Sequence, residues 1–252
     1  MAQNQIDPRA VIVGDVQFGS SNIVEAGAVL VGPMTVGDGN YFGPNCVVGA
    51  PPQDDAVGQD LRRNGLKAGS AGGLSIGSDN VVREFVTVHR GLTGDTTIGD
   101  ACYLMAYSHV PHDCTLRDRV KLANNVQMGG YTWLGRGTYV GLSAVVHQFT
   151  VVGAFSMVGM GAVVTMGVVP LGSLLHGSPA RLIRPNNVGL ERIGVTDFAW
   201  WNELNVGGSG VKVPAELSAD VAEFRSTVEA AARMRAEVTA WRISRGEEQG
   251  GT

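Results

Sequence analysis

The chain has 252 residues, 44% of them hydrophobic, enough for one sizeable core with a small appendage. A net charge of -4 without any Lys/Arg cluster long enough to track a phosphate backbone argues against nucleic acid as a partner. No stretch holds eighteen consecutive apolar residues, and Met1-Ala2-Gln3-Asn4-Gln5 lacks the basic start of a secretion signal, so no membrane span and a cytoplasmic location are expected.

In chain order, an aliphatic or aromatic residue recurs at every sixth position: Ile6, Ile12, Phe18, Val24, Leu30, Val36, Phe42 and Val48. The register breaks from Gly49 to Leu74 and returns at Ile76, Val82 and Val88. After a shorter break, roughly Gly91 to Thr97, it runs unbroken through Ile98, Leu104, Val110, Leu116, Leu122, Met128, Leu134, Val140, Val146, Val152, Val158 and Val164. A period of six fits neither a helix nor a hairpin. It fits one short side of a coil with one inward residue, three sides closing a turn of about eighteen residues, and stacked turns pairing as parallel strands. The 36 glycines, about twice ordinary usage, are expected to make the corners.

A solenoid ejects insertions as surface loops, and such loops often carry function. The first, 49–74, is polar and charged and reads either as a mobile loop or as a substrate flap. Past Val164 the register fades through Val168 to Gly172. From about Ala215 to Arg245, Leu217, Val221, Phe224, Val228 and Ala231 fall at helical spacings, and residues 246–252 read as a frayed tail. The expected organisation is an all-β solenoid over residues 1–185, with insertions near 49–74 and 91–97, and a C-terminal α-helical region over 186–252.

Five histidines are the candidate chemistry: His89, His109, His112, His147 and His176. His112 stands at the third position of the Val110 unit, turned away from the ladder and followed by Asp113, a carboxylate that can select one tautomer of a general base. His147 lies thirty-six residues beyond Pro111, two coils on and on the same side, and Gly129-Gly130 on the intervening coil offers uncovered backbone N–H groups to an oxyanion. Cys46, Cys102 and Cys114, widely spaced and without a CxxC pair, suggest neither a disulfide framework nor a zinc site and are expected to be small buried residues. A metal hydratase on the same scaffold would need three converging histidines, which His109-x-x-His112 matches poorly; a non-enzymatic scaffold would use them structurally.

Four blocks then carry a resemblance: Val88-His89-Arg90-Gly91, Ser108-His109-Val110-Pro111-His112-Asp113-Cys114, Leu122-Ala123-Asn124-Asn125 and Val146-His147-Gln148-Phe149. In order and spacing, across roughly residues 6 to 195, they are similar to the UDP-N-acetylglucosamine O-acyltransferase family, which begins lipid A synthesis. The resemblance implies a left-handed parallel β-helix of hexapeptide repeats, assembled as a homotrimer with clefts between subunits, and no metal or cofactor. It makes His112 the general base, Asp113 its orienting partner and Gly130 the oxyanion donor. The acyl donor would be an acyl carrier protein, with coenzyme A as the other candidate. His109, His147 and Gln148 would line the cleft, His89 would approach the donor or nucleotide side, and Arg192 would face the carrier. Gln59 and Asp60 compete with Gln53-Asp54 for the family's sugar-binding loop, and Asn186 is retained where the nucleotide is read. The lysine of that family loop is absent, Tyr131 replaces a histidine, and Val188 and Ile193 stand where an acid and a second arginine are expected. These departures suggest a different amine or alcohol acceptor as the second reading. Met160, at the floor of the implied acyl groove, suggests medium-length acyl chains.

Overall fold

The computed structural model describes residues 3–69, 72–205 and 212–244. Among these, short strands form three sheets that make the sides of a triangular prism. The first sheet has ten strands, Gln5–Ile6 to Arg181–Pro185. The second has eight, Val11–Val13 to Val163–Val164, and the third has eight, Val16–Phe18 to Val168–Val169. Every pairing is parallel except the last, where Ser173–His176 turns back on Arg181–Pro185. The register explains both breaks in the sequence period. An intact coil steps by 18 residues, as from Thr97 to Thr115. Across the first insertion Asn40 meets Asn80, a step of 40, and across the second Asn80 meets Cys102, a step of 22.

The ladder faces inward as the six-residue period requires. From Val24 to Val164 its members are at most 6% exposed, and burial of each aliphatic side chain stabilises by roughly 1.5–3 kcal/mol. Ile6 and Ile12 are 43% and 40% exposed because no coil among the described residues covers them. The ladder also continues beyond its legible end: Val169 pairs with Val152 and Leu175 with Val158, one residue short of the usual step. All three cysteines are buried in the core, where loss of solvation pushes each thiol up to about 12.

The glycines serve in two places: as expected, Gly14, Gly27, Gly39, Gly137, Gly161 and Gly172 take the left-handed position at corners, with φ between +63° and +75°. At the corners the left-handed position is often filled by other residues, Asp113, Tyr131, Phe149 and Phe155 among them, all with φ near +60°. Gly135 and Gly153 instead follow ladder residues, where the next coil comes very close. A Cβ on either would lie 2.4 or 2.3 Å from the backbone nitrogen of Ala154 or Leu171. Glycine here permits coil-to-coil stacking.

The first insertion is a folded element rather than a bare loop. It carries helix α1 (Asp55–Asn64) and a 3-10 turn, Gly65–Lys67. Asp55 in its first turn and Arg62 and Arg63 in its last suit the helix dipole, and Val57 is buried. The Arg90 guanidinium, itself buried, donates to the carbonyls of Gly49 and Ala68 and so clasps both feet of the insertion, with a third, longer contact of 3.3 Å to Gly32. Arg90→Ala would strand buried carbonyls at about 1–3 kcal/mol each. The expected result is a thermal midpoint lower by roughly 5–10 °C in calorimetry, with faster proteolysis between 49 and 74.

At the other end, helices α2 (Asn187–Glu191) and α3 (Ala199–Asn205), neither foreseen from periodicity, pack Leu190, Trp200 and Trp201 with Phe155 and Leu171 into a second core. Helix α4 (Ser218–Ser244), entered through a 3-10 turn at Ala215–Leu217, lies along the third sheet with Phe224 on Trp133 and Val151. Arg136 pairs with Asp220 at 2.8 Å and Arg117 with Glu223 at 2.8 Å, tying the helix to the coils. Among the described residues no helix is long and apolar enough to cross a membrane. The expected frayed tail, 246–252, lies outside the described residues.

Candidate active site

The corner between the second and third sheets aligns three coils. Because Tyr131 N–H donates to the His112 carbonyl at 3.2 Å and Phe149 N–H to that of Gly130 at 3.0 Å, His112, Gly130 and Gln148 stack in one column and Asp113, Tyr131 and Phe149 in the next. His112 is turned out of the ladder, as its position requires, yet its side chain is only 10% exposed. The column above it provides the cover. Gly130 sits so close that a Cβ there would fall 2.8 Å from Cε1 and 2.9 Å from Nε2 of the imidazole. Tyr131 meets the same ring edge-on, 5.2 Å between centroids.

His112 Nδ1 lies 2.8 Å from Asp113 Oδ2. The carboxylate is in turn held by the second insertion, whose Leu92, Thr93 and Gly94 backbone N–H groups donate at 2.8, 3.0 and 2.7 Å, joined by the Thr93 hydroxyl at 2.8 Å. Burial alone would raise the Asp113 carboxyl. The hydrogen bonds from His112, Gly94, Leu92 and Thr93 outweigh it and hold the group below its ordinary value, so it is an anion at neutral pH. An ionised acceptor on Nδ1 places the proton there and leaves Nε2 with its lone pair. The Gly130 N–H has no backbone acceptor among the described residues, as an oxyanion donor requires.

His109, on the outer face of the second sheet, places Nδ1 2.7 Å from the Thr87 hydroxyl. Burial, and then His112 nearby, lower its affinity for a proton. His147 and Gln148 are exposed at the same corner, one coil beyond Gly129-Gly130, and His147 Nδ1 lies 3.1 Å from the Gln148 carbonyl. The structure therefore gathers His109, His112, Asp113, Gly130, His147 and Gln148 on one edge of the prism.

The remaining expected residues are placed elsewhere. His89 is buried behind the foot of the first insertion, hydrogen-bonded to the Pro51 carbonyl and edge-on to His109 at 5.1 Å, so it does not open to a ligand in this chain. Met160, 68% exposed, belongs to the corner between the first and second sheets and does not floor a groove with His112 in one chain. Asn186 caps α2 and donates to the Phe155 carbonyl at 2.7 Å, a structural task at the third corner. Arg192, exposed, ends the same helix. Asp60 accepts from Asn64 and from Gly69 N–H, the latter at 2.6 Å, and so closes its own loop. Gln59 lies on α1, its side chain outside the described residues. Sequence reasoning missed the Leu92–Gly94 cradle and the Arg90 clasp. The cradle's signal was the shortness of the second insertion one coil below Asp113.

Burial, then the proximity of His109, pushes His89 down to about 4. An unfolded histidine takes up its proton near 6.5, so the native state is fully favoured above that pH. It loses about 3 kcal/mol as pH falls from about 6.5 to about 4. Denaturant titrations from pH 7 to pH 4 should show this decline in the parent and a shallower one in His89→Asn, His109 supplying the residue of the slope.

Residues 95–130 match the profile described as bacterial transferase hexapeptide (six repeats). An acyl-(acyl-carrier-protein)-UDP-N-acetylglucosamine O-acyltransferase of Thermodesulfovibrio yellowstonii is 38% identical over 195 residues, 76% of this chain and 71% of that protein. The Synechocystis protein of the same name is 33% identical over 171 residues, 67% of this chain but only 58% of its own length. Among solved structures, UDP-N-acetylglucosamine O-acyltransferase from Moraxella catarrhalis aligns with TM-score 0.65 and 25% identity over 92% of both chains. The Arabidopsis UDP-N-acetylglucosamine acyltransferase aligns with TM-score 0.63 and 25% identity over 99% of this chain and 98% of that one. With a relative of this identity aligned over most of both sequences, and the same solenoid beneath it, the chain belongs to the UDP-N-acetylglucosamine O-acyltransferase family.

Proposed function

We propose that this chain is an acyltransferase moving a medium-length acyl group from an acyl carrier protein to a hydroxyl of UDP-N-acetylglucosamine or a related nucleotide sugar. The observation that carries the reading is the His112–Asp113 pair, with Nδ1 fixed on an anchored anion and Gly130 against the other side of the ring. His112 Nε2 takes the proton of the acceptor hydroxyl as its oxygen attacks the thioester carbon, and the Gly130 N–H receives the developing oxyanion. Collapse breaks the C–S bond, and the thiolate leaves with the proton that His112 carried. The enzyme forms no covalent intermediate.

Met160, Arg192 and the His112 edge occupy three different corners of one prism, so a site using all of them is assembled between chains. A homotrimer packing the Met160 corner of one subunit near the His112 edge of the next satisfies this, and the thioether then blocks long acyl chains. A second reading, the same transfer to another amine or alcohol, is favoured by the intramolecular engagement of Asp60 and Asn186 and by Tyr131 in place of a histidine. The test incubates the protein with carrier thioesters of graded length and UDP-N-acetylglucosamine, following free thiol and product mass, beside sedimentation analysis of the assembly. An acylated nucleotide sugar supports the first reading. Thiol release only with other acceptors supports the second, and no transfer to any acceptor removes both.

A further inference from the structure

Tyr131 and Phe149 occupy equivalent positions on successive coils, both in the left-handed corner conformation, which throws their rings outward in register. The rings stack at 4.7 Å, 7° from parallel. Tyr131 also presents itself at 88° to the His112 imidazole. Behind the pair, under α4, lies a cavity of about 200 Å³ lined by Asp113, Tyr131, Trp133, Phe149, Ala231 and Met234. A second hollow of about 370 Å³ opens between Tyr131, Thr93, Gly94 and Met234. The space to which the Tyr131 ring could swing therefore exists, and the stack on Phe149 opposes that movement.

We infer that Phe149 is a positioning residue, acting through Tyr131 to keep the His112 imidazole in the one orientation that joins Nδ1 to Asp113 and leaves Nε2 to the acceptor. It touches no reacting atom. The inference rests on the reading of His112 as the base, but its structural part stands without it. With the stack removed, Tyr131 leaves the edge of the imidazole, the ring gains freedom against Gly130, and a share of molecules loses the Nδ1–Asp113 bond. A misoriented base lowers the rate of proton transfer more than it alters the binding of substrates.

The experiment compares the parent with Phe149→Leu, which keeps an apolar side chain without a ring, and with Phe149→Tyr, which keeps the ring. Imidazole 15N spectra, with the His112 signals identified by their loss in His112→Gln, report the tautomer without any substrate. Steady-state kinetics with a carrier thioester report kcat and KM. For Phe149→Leu the expected result is a His112 signal moved from the single Nδ1–H tautomer toward a mixture and kcat lower by up to about tenfold, with KM within about twofold. Phe149→Tyr should restore the parental spectrum and rate. Tyr131→Leu, a second variant should the first fold poorly by circular dichroism, should give the same spectral change. A parental His112 spectrum in the folded leucine variants overturns the inference, as does a kcat loss that Phe149→Tyr fails to restore. A changed tautomer together with parental turnover in His112→Gln leaves the positioning intact and removes the reading of His112 as the base.

Discussion

His112→Gln is expected to lower turnover by about a thousandfold while leaving the thermal midpoint within a few degrees of the parent. A positioned general base contributes about a hundred- to ten-thousand-fold, and the described edge offers no equal substitute. His109 already faces Thr87, and His147 stands one coil beyond the glycine pair, too far along the prism to take over the same proton. The fold should tolerate the change because Asp113 keeps its donors from Leu92, Thr93 and Gly94, so no anion is left bare. Single-turnover measurement of thiol release, beside a melting curve, checks both halves. Turnover within tenfold of the parent would place the base elsewhere.

Gly130→Ala should be nearly as damaging, by roughly a hundredfold or more, for a different reason. The added Cβ would come within 2.8 and 2.9 Å of two imidazole atoms, inside contact distance, so the ring must yield. The alanine retains the backbone N–H, and the loss therefore reports displacement of the base rather than removal of the oxyanion donor. Overpacking at a site outside the ladder costs about 1–3 kcal/mol, which a solenoid of this size should survive. The discriminating measurement is the double variant. In a His112→Gln background, Gly130→Ala should cost little more, because the ring it displaces is gone. Full additivity would instead assign Gly130 a role independent of His112.

The scaffold was legible because one inward residue per side leaves its mark at a fixed period, from Val24 to Val164, whatever the other positions hold. The two interruptions were equally plain, since an insertion shifts every later member of the ladder. Helix α1 was not, because its apolar residues are few and Gly58 interrupts it, so composition reads as loop. The His112–Asp113 pair was legible from adjacency, and from multiples of eighteen the alignment of His112 with Gly130 and of the neighbouring Pro111 with His147. What periodicity could not show was depth. His89 and His109 look alike in sequence, yet the foot of the first insertion covers one and spares the other. Nor could it show prior engagement: Asn186 and Asp60 carry the right chemistry for a ligand but spend it on a helix cap and a loop closure. Met160 was placed by the family resemblance, and its spacing gives the coil but not the neighbour across the corner.

The uniform step between coils makes this prism a graduated rod. Any two groups on one edge are separated by whole multiples of about 4.8 Å, the distance between paired parallel strands. A hydrocarbon advances by roughly 1.3 Å per carbon, given C–C bonds near 1.5 Å, so one coil corresponds to about four carbons. Moving a bulky residue from one coil to the next along an edge would thus change the accommodated length in steps of about four carbons, and finer adjustment would require a change of side-chain size within the same coil.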